Sequence, residues 1–102
     1  MLTLEITGAA EQDLDHITDY LGITLANPQA ALVLLDEFAK LNAELATNPS
    51  IYPLCAAANL ADRGHHKAVV KSYIVVFEID TAANTVRILR IFHSSENYAN
   101  KL

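Results

Sequence analysis

Cations and proton-transfer groups gather in residues 63–102 of this sequence. The set comprises Arg63, His65, His66, Lys67, Lys71, Arg90, His93 and Tyr98. Hydrolysis or transesterification of RNA needs a base that takes the 2′-hydroxyl proton and cations that stabilise the charged phosphorane. His93 or Lys67 is the candidate base or acid, and Arg90 and Tyr98 complete the candidate catalytic set. The spacing of these residues is compatible with metal-independent RNA cleavage but is not specific for it.

The remaining members of the set are candidates for binding an anionic ligand, namely Arg63, His65, His66 and Lys71. Each residue of the set also has a structural interpretation. Lysines on an edge strand protect a sheet from aggregation, which would account for Lys67 and Lys71. Arg90 could pair with Glu78 across a hairpin, and Tyr98 could anchor the end of the chain.

Common catalytic and metal-binding motifs are absent. No GxGxxG or P-loop is present to hold a nucleotide, and there is no HExxH, CxxC or EF-hand pattern. His65 and His66 are adjacent, so in an extended strand they point to opposite faces and cannot chelate one ion together. The lone cysteine, Cys55, excludes an internal disulfide, and we interpret it as a small buried hydrophobe. We therefore expect neither a metal nor a cofactor.

Composition favours one small folded domain, residues 1–102. Apolar residues make up 52% and charged residues 19%, which is too apolar for a disordered chain. The net charge of −5 is not that of a general nucleic-acid or anionic-membrane binder. No apolar run approaches the roughly 20 residues that span a bilayer, and no signal peptide is recognisable. We expect a cytoplasmic protein that does not bind membranes.

Charge is distributed unevenly along the chain. Residues 1–62 hold nine acidic side chains against Lys40 alone, whereas residues 63–102 hold six basic side chains against three acidic ones. Three of the four histidines also lie in the second part. A binding site for an anionic ligand would therefore lie in the last forty residues.

Periodicity predicts the elements that position these side chains. Residues 2–7 alternate as a short strand, and from Ala9 the apolar residues follow a helical stripe as far as Leu25. Asn27 is a predicted cap, with Pro28 as the first residue of a second helix that ends near Thr47. The connection between the helices is short, so they should form an antiparallel hairpin.

Three strands follow, over residues 66–70, 73–79 and 85–93. The middle strand is apolar on both faces, which predicts a central position in the sheet. Strict alternation in the last strand places Arg90 and Phe92 on the same face as Val86 and Ile88. Ser94 and Ser95 are candidate caps for a short C-terminal helix.

The resulting order, β-α-α-β-β-β, predicts an α+β fold. Strands that are adjacent in sequence and joined by short turns pair antiparallel. We expect an antiparallel sheet packed on an N-terminal helical hairpin, with the other face partly open.

The chain resembles the RelE/ParE superfamily of toxins from bacterial type II toxin–antitoxin modules. The resemblance begins with Leu4-Glu5-Ile6-Thr7-x-Ala9-Ala10-Glu11-x-Asp13-Leu14, followed by Asn27-Pro28-x-Ala30-Ala31. It continues through Arg63-Gly64-His65-His66-Lys67-x-Val69-Val70-Lys71, Val86-x-Ile88-x-Arg90-Ile91-x-His93 and the closing Asn97-Tyr98. These pieces occur in the order in which the superfamily has them, and they cover nearly the whole chain.

The resemblance implies a growth-inhibiting toxin of the plasmid-stabilisation type, held inactive by a cognate antitoxin. The antitoxin's C-terminal segment would wrap the toxin and form a hetero-oligomer with it. RelE-like members cut mRNA in the ribosome, whereas ParE-like members poison DNA gyrase. The helical hairpin and the Asn27-Pro28 start favour the ParE side, while His93 and Tyr98 keep the nuclease hypothesis open.

Two departures from the superfamily pattern bear on activity. His66 stands where relatives commonly carry an arginine, and Glu96-Asn97-Tyr98 replaces an Arg-Asp-Tyr. Lost guanidinium groups and a net negative charge both argue against strong ribonuclease activity. Three hypotheses remain: a gyrase inhibitor, a ribosome-dependent mRNA endoribonuclease, and a toxin fold that has lost its activity.

Overall fold

The architecture is a four-stranded sheet with two long helices on one face. The computed structural model describes residues 1–96. The elements, in chain order, are β1 Thr3–Ile6, α1 Gly8–Asp19, a π-helical turn Tyr20–Thr24, α2 Pro28–Thr47, a 3₁₀ turn Pro49–Ile51, α3 Ala58–Ala61, β2 His65–Val70, β3 Tyr73–Asp80 and β4 Thr85–His93. Tyr98 and the expected C-terminal helix fall outside the described residues.

The sheet has the order β1-β4-β3-β2 and is mixed. β2, β3 and β4 pair antiparallel, as predicted, with β3 in the interior of the sheet. β1 pairs with β4 in parallel, so the expectation of a wholly antiparallel sheet is wrong at this strand. The physical reason is that β1 reaches the free edge of β4 through the long helical connection rather than through a tight turn.

The helices form where the sequence predicts them. Asn27 caps α2, since its side-chain oxygen accepts a hydrogen bond from the Ala30 N–H at 3.2 Å. Pro28 takes the first helical position, where a missing N–H costs nothing. The buried stripe of α2 is Leu34, Phe38, Leu41 and Leu45.

The two faces of the sheet bury separate apolar clusters. On the side we call the helix face, α1 and α2 cover a cluster that includes Val75, Phe77, Val86, Ile88 and Ile91. On the opposite side, which we call the outer face, Cys55 and Leu60 cover Ile74, Val76 and Phe92. The outer face is therefore less open than predicted, and Cys55, only 2% exposed, is buried as expected.

A β-bulge in β4 changes which side chains face the helices. Phe77 pairs with Ile88 but Val76 pairs with Arg90, so Leu89 is an extra residue between them. Beyond the bulge, Ile91 joins the helix face and Phe92 joins the outer face. The predicted strict alternation along β4 is therefore wrong after Ile88.

Among residues 1–96, no helix is long and apolar enough to cross a membrane.

Candidate functional site

Two adjoining grooves lie at one end of the sheet and share Tyr20, Tyr73 and His93. The first, which we call the histidine groove, encloses about 540 Å³ between α1 and the end of β4, and His16 and Arg90 also line it. The second, which we call the apolar groove, encloses about 580 Å³ between the start of α2 and the β2–β3 turn. Its lining is mainly apolar and includes Leu21, Leu25, Val33 and Leu34, with Lys71 at its border.

Two irregular pieces of backbone shape these grooves. At the end of α1 the chain widens into the π turn, in which the Leu25 N–H reaches back to the Tyr20 carbonyl at 2.9 Å. Such turns are rare and redirect side chains, and here Tyr20 contributes to both grooves. Opposite, Lys71 adopts a left-handed conformation (φ 54°) in the turn between β2 and β3. This turn is fixed to the end of β4 by a bond from the Ser94 N–H to the Ser72 carbonyl at 2.8 Å.

His93 is held in a defined orientation at the centre of the combined groove. Its ring meets that of Tyr73 edge to face, with centroids 5.4 Å apart. The Ser95 backbone N–H donates to His93 Nδ1 at 3.1 Å, and the Ser95 hydroxyl lies 2.7 Å from the same nitrogen. Because a backbone N–H can only donate, Nδ1 is an acceptor, and the neutral ring carries its proton on Nε2. His93 thus presents an N–H donor to the groove, and its basic nitrogen is occupied.

The environment of Tyr73 keeps its hydroxyl group protonated. Burial raises the pKa of the Tyr73 hydroxyl, and the nearby Tyr20 raises it further. At neutral pH this phenol is therefore a hydrogen-bond donor and not a base.

Arg90 is bound by a carboxylate of α1. Its Nε and Nη2 donate to the two carboxylate oxygens of Asp13 at 2.7 Å and 3.0 Å. The same carboxylate accepts the Ile91 N–H at 2.9 Å, which satisfies the edge of β4 beyond the end of β1. The hydrogen bond to Asp13 raises the pKa of Arg90, and the Arg90 guanidinium lies 4.7 Å from the centre of the Phe92 ring.

The predicted pairing of Arg90 with Glu78 is wrong. The strand register places Arg87 opposite Glu78, and Arg87 Nη1 lies 2.7 Å from Glu78 Oε1.

The structure brings together only part of the predicted set. His93 and Arg90 line the histidine groove, and His93 and Lys71 line the apolar groove. Lys67 lies on the outer face, in the same row as Val76 and Arg90. Two strand spacings, about 10 Å, separate the backbones of Lys67 and Arg90, and His93 pairs with Tyr73 on the helix face.

The two adjacent histidines point to opposite faces, as expected. His66 stacks on Phe77 on the helix face, with centroids 5.3 Å apart, and its Nδ1 lies 2.9 Å from the Tyr52 carbonyl oxygen. His65 is buried on the outer face, 8% exposed, and Arg63 lies in the turn before it. Among residues 1–96, no group of three His, Cys, Asp or Glu side chains is placed to hold a metal ion.

The candidate set from the sequence lacks several residues that line the histidine groove, among them Asp13, His16, Tyr20 and Tyr73. Three of them were detectable in principle, because spacings of three and four residues place Asp13, His16 and Tyr20 on one side of a helix. Nothing local indicated that this side faces the end of β4.

The fold places the chain among small α+β proteins in which helices pack on one face of a four-stranded sheet. Residues 4–98 match the sequence model of the ParE toxin of the type II toxin–antitoxin system parDE. The chain belongs to this family, within the RelE/ParE superfamily.

Solved structures with the same fold include toxins from several bacteria. A chain of the chromosomal ParDE system from P. aeruginosa superposes with a TM-score of 0.71 at 21% identity, over 91% of this chain and 96% of that one. A chain of the RelBE2 toxin–antitoxin complex from Mycobacterium tuberculosis gives 0.62 at 24% identity, over 93% of both chains. A metal-bound toxin from Helicobacter pylori gives 0.64 at 22% identity, over 95% of this chain and 99% of that one. A search of curated proteins gave no match.

Proposed function

We propose that this chain inhibits DNA gyrase and is neutralised by a cognate antitoxin in the cytoplasm. We favour gyrase over mRNA as the target because the candidate nuclease groups lie apart in the structure. Lys67 lies on the outer face while His93 lies on the helix face, and this separation argues against a joint action of the two candidate proton-transfer groups on one scissile phosphate.

The other nuclease candidates are engaged as well. Both donating nitrogens on one side of the Arg90 guanidinium are bound to Asp13, and His93 Nδ1 is occupied by Ser95. A ribonuclease of this type would need these groups free to accept a proton and stabilise a phosphorane. Inhibition of gyrase by protein–protein contact needs neither a proton acceptor nor a cation that stabilises a phosphorane.

A supercoiling assay tests the proposal. Purified chain added to gyrase and relaxed plasmid should block supercoiling at near-stoichiometric concentration, and His93→Ala should retain most of this effect. Transcripts from cells that express the chain should keep intact 5′ ends. Unimpaired supercoiling together with His93-dependent mRNA cleavage would overturn the proposal in favour of the endoribonuclease. Unimpaired growth with soluble chain would instead indicate a toxin fold that has lost its activity.

For the antitoxin we propose the apolar groove as the docking surface. The solved relatives include toxin–antitoxin complexes, and this groove offers exposed apolar side chains, among them Leu25 (52% exposed) and Val33 (41%). Lys71 at its border supplies positive charge, and His93 supplies a hydrogen-bond donor. The occupant we infer is an amphipathic C-terminal antitoxin segment, whose apolar side fills the groove and whose carboxylates meet Lys71.

Two neighbouring residues of α2 give a matched test. Val33 lines the groove, whereas the adjacent Leu32 is more exposed (61%) and does not line it. Val33→Asp should weaken antitoxin binding about 100-fold, because a carboxylate would be buried against apolar groups. Leu32→Asp should bind like the wild type by calorimetry. Equal affinity of the two variants would overturn this docking site without bearing on the gyrase target.

A further inference from the structure

Residues 53–61 form a cover over the outer face of the sheet. Leu60, in α3, is fully buried and packs with Ile74, Val76 and Phe92. Cys55, at the start of the cover, is 2% exposed and belongs to the same cluster. Loss of this cover would therefore expose a contiguous apolar surface and the thiol.

The cover is attached to the free edge of β2 by backbone hydrogen bonds. The Cys55 N–H donates to the His65 carbonyl at 2.8 Å, and the Lys67 N–H donates to the Pro53 carbonyl at 3.0 Å. Leu54 and His66 form an antiparallel bridge between these two bonds. The attachment is short, and the His65 carbonyl accepts one of its two backbone hydrogen bonds.

The His65 ring lies where burial disfavours its charged form. The ring is buried, and its Nδ1 has no hydrogen-bond partner among residues 1–96. A second proton would create a buried N–H donor without an acceptor and a charge without full solvation. Burial accordingly lowers the pKa of His65.

The charged groups around His65 do not cancel this effect. Glu78, its partner on β3, favours the protonated ring, but its carboxylate is already bound to Arg87 at 2.7 Å. Arg63, in the preceding turn, opposes protonation. Lys67 lies on the same face of β2, and the buried Cys55 thiol, whose pKa is raised by burial, carries no charge at neutral pH to offset it.

We propose that His65 is a proton-sensitive latch that releases the cover at mildly acidic pH. The closed state binds fewer protons than the open state, in which the ring regains its ordinary pKa of 6.5. Opening therefore becomes more favourable as the pH falls below 6.5 and levels off once the closed state is also protonated. The neighbouring His66 points to the opposite face of β2, where its Nδ1–H donates to the Tyr52 carbonyl.

The single cysteine of the chain reports on the cover directly. We would follow the reaction of Cys55 with 4,4′-dithiodipyridine, which modifies thiols in mildly acidic solution, from pH 7.5 to 5.5. Each rate is divided by that of the urea-unfolded chain at the same pH, which removes the effect of thiol ionisation. The normalised rate of the wild type should rise roughly three- to tenfold as the pH falls, while circular dichroism stays native.

Substitutions separate His65 from the other histidines. His65→Leu should make the normalised rate independent of pH, and His65→Phe serves the same purpose if the leucine variant does not fold. His16→Gln, at an exposed position of α1, should keep the wild-type profile. A flat wild-type profile, or a pH dependence that survives in His65→Leu or His65→Phe, would overturn the proposal.

Discussion

Asp13 connects α1 to β4 through three hydrogen bonds that the sequence did not predict. Its side chain is 14% exposed and accepts three hydrogen bonds, two from Arg90 and one from the Ile91 N–H. It thereby fixes the position of α1 against the part of β4 that β1 leaves unpaired. The same contact occupies Nε and Nη2 of the Arg90 guanidinium at the wall of the histidine groove.

Replacing this carboxylate should destabilise the fold measurably. Asp13→Ala leaves Arg90 and the Ile91 N–H without their acceptor, and we expect the free energy of unfolding in urea to fall by about 2 kcal/mol. Asp36→Ala is the matched control, since Asp36 is 69% exposed and forms only a surface pair with Lys40. That control should give no measurable change. Similar losses in both variants would contradict the role assigned to Asp13.

The Asp13–Arg90 pair could not be predicted from the sequence. The two residues are 77 positions apart, and no periodic pattern links a helix face to a particular strand of a sheet. The assignment of Arg90 to Glu78 followed from hairpin register alone, and it failed because Arg87 is the residue opposite Glu78. By contrast, the opposite orientations of His65 and His66 follow from strand geometry, which is local.

At the scale of elements, local signals predicted most boundaries. The cap and proline at Asn27-Pro28, the Lys71-Ser72 turn and the 81–84 loop are local features that the structure reproduces. The parallel pairing of β1 and the bulge at Leu89 were not predictable, because both depend on contacts between distant segments. The bulge determines which residues of β4 reach the histidine groove. The candidate site was therefore less predictable from the sequence than the boundaries of the helices and strands.

Thr7 links three of these elements through one hydroxyl group. Its Oγ1 donates to the Leu89 carbonyl in the bulge at 2.9 Å and accepts the Ala10 N–H at 3.2 Å as the cap of α1. Thr7 thus connects the end of β1 to the start of α1 and to the bulge of β4. The histidine groove lies between α1 and β4.

Thr7→Val retains the shape of the side chain and removes both hydrogen bonds. We expect a loss of about 1–2 kcal/mol in the free energy of unfolding, with faster hydrogen exchange at the Ala10 amide. Thr7→Ser keeps the hydroxyl and should lie within about 0.5 kcal/mol of the wild type. If valine destabilised the chain no more than serine does, the two hydrogen bonds of the hydroxyl would not account for the loss.

At the scale of the whole molecule, charge and surface chemistry favour protein partners over nucleic acid. The net charge is −5, and the basic groups within residues 63–96 are spread over both faces of the sheet. Two of them, Arg87 and Arg90, are paired with carboxylates. The exposed apolar residues, in contrast, include Leu25 and Val33 in a single groove.

This distribution leads to an expectation for RNA binding. Nonspecific affinity for RNA arises mainly from counterion release by clustered cations, so a labelled single-stranded RNA should bind more weakly than about 100 µM at 0.15 M salt by fluorescence anisotropy. A dissociation constant near 1 µM with a steep salt dependence would contradict this and revive the ribonuclease hypothesis. Lys71→Asn would then locate the contact, because asparagine tolerates the left-handed turn at this position (φ 54°) while removing the charge. A drop of about one in the salt slope would assign the contact to the groove that Lys71 borders, whereas an unchanged slope would exclude Lys71 from the contact.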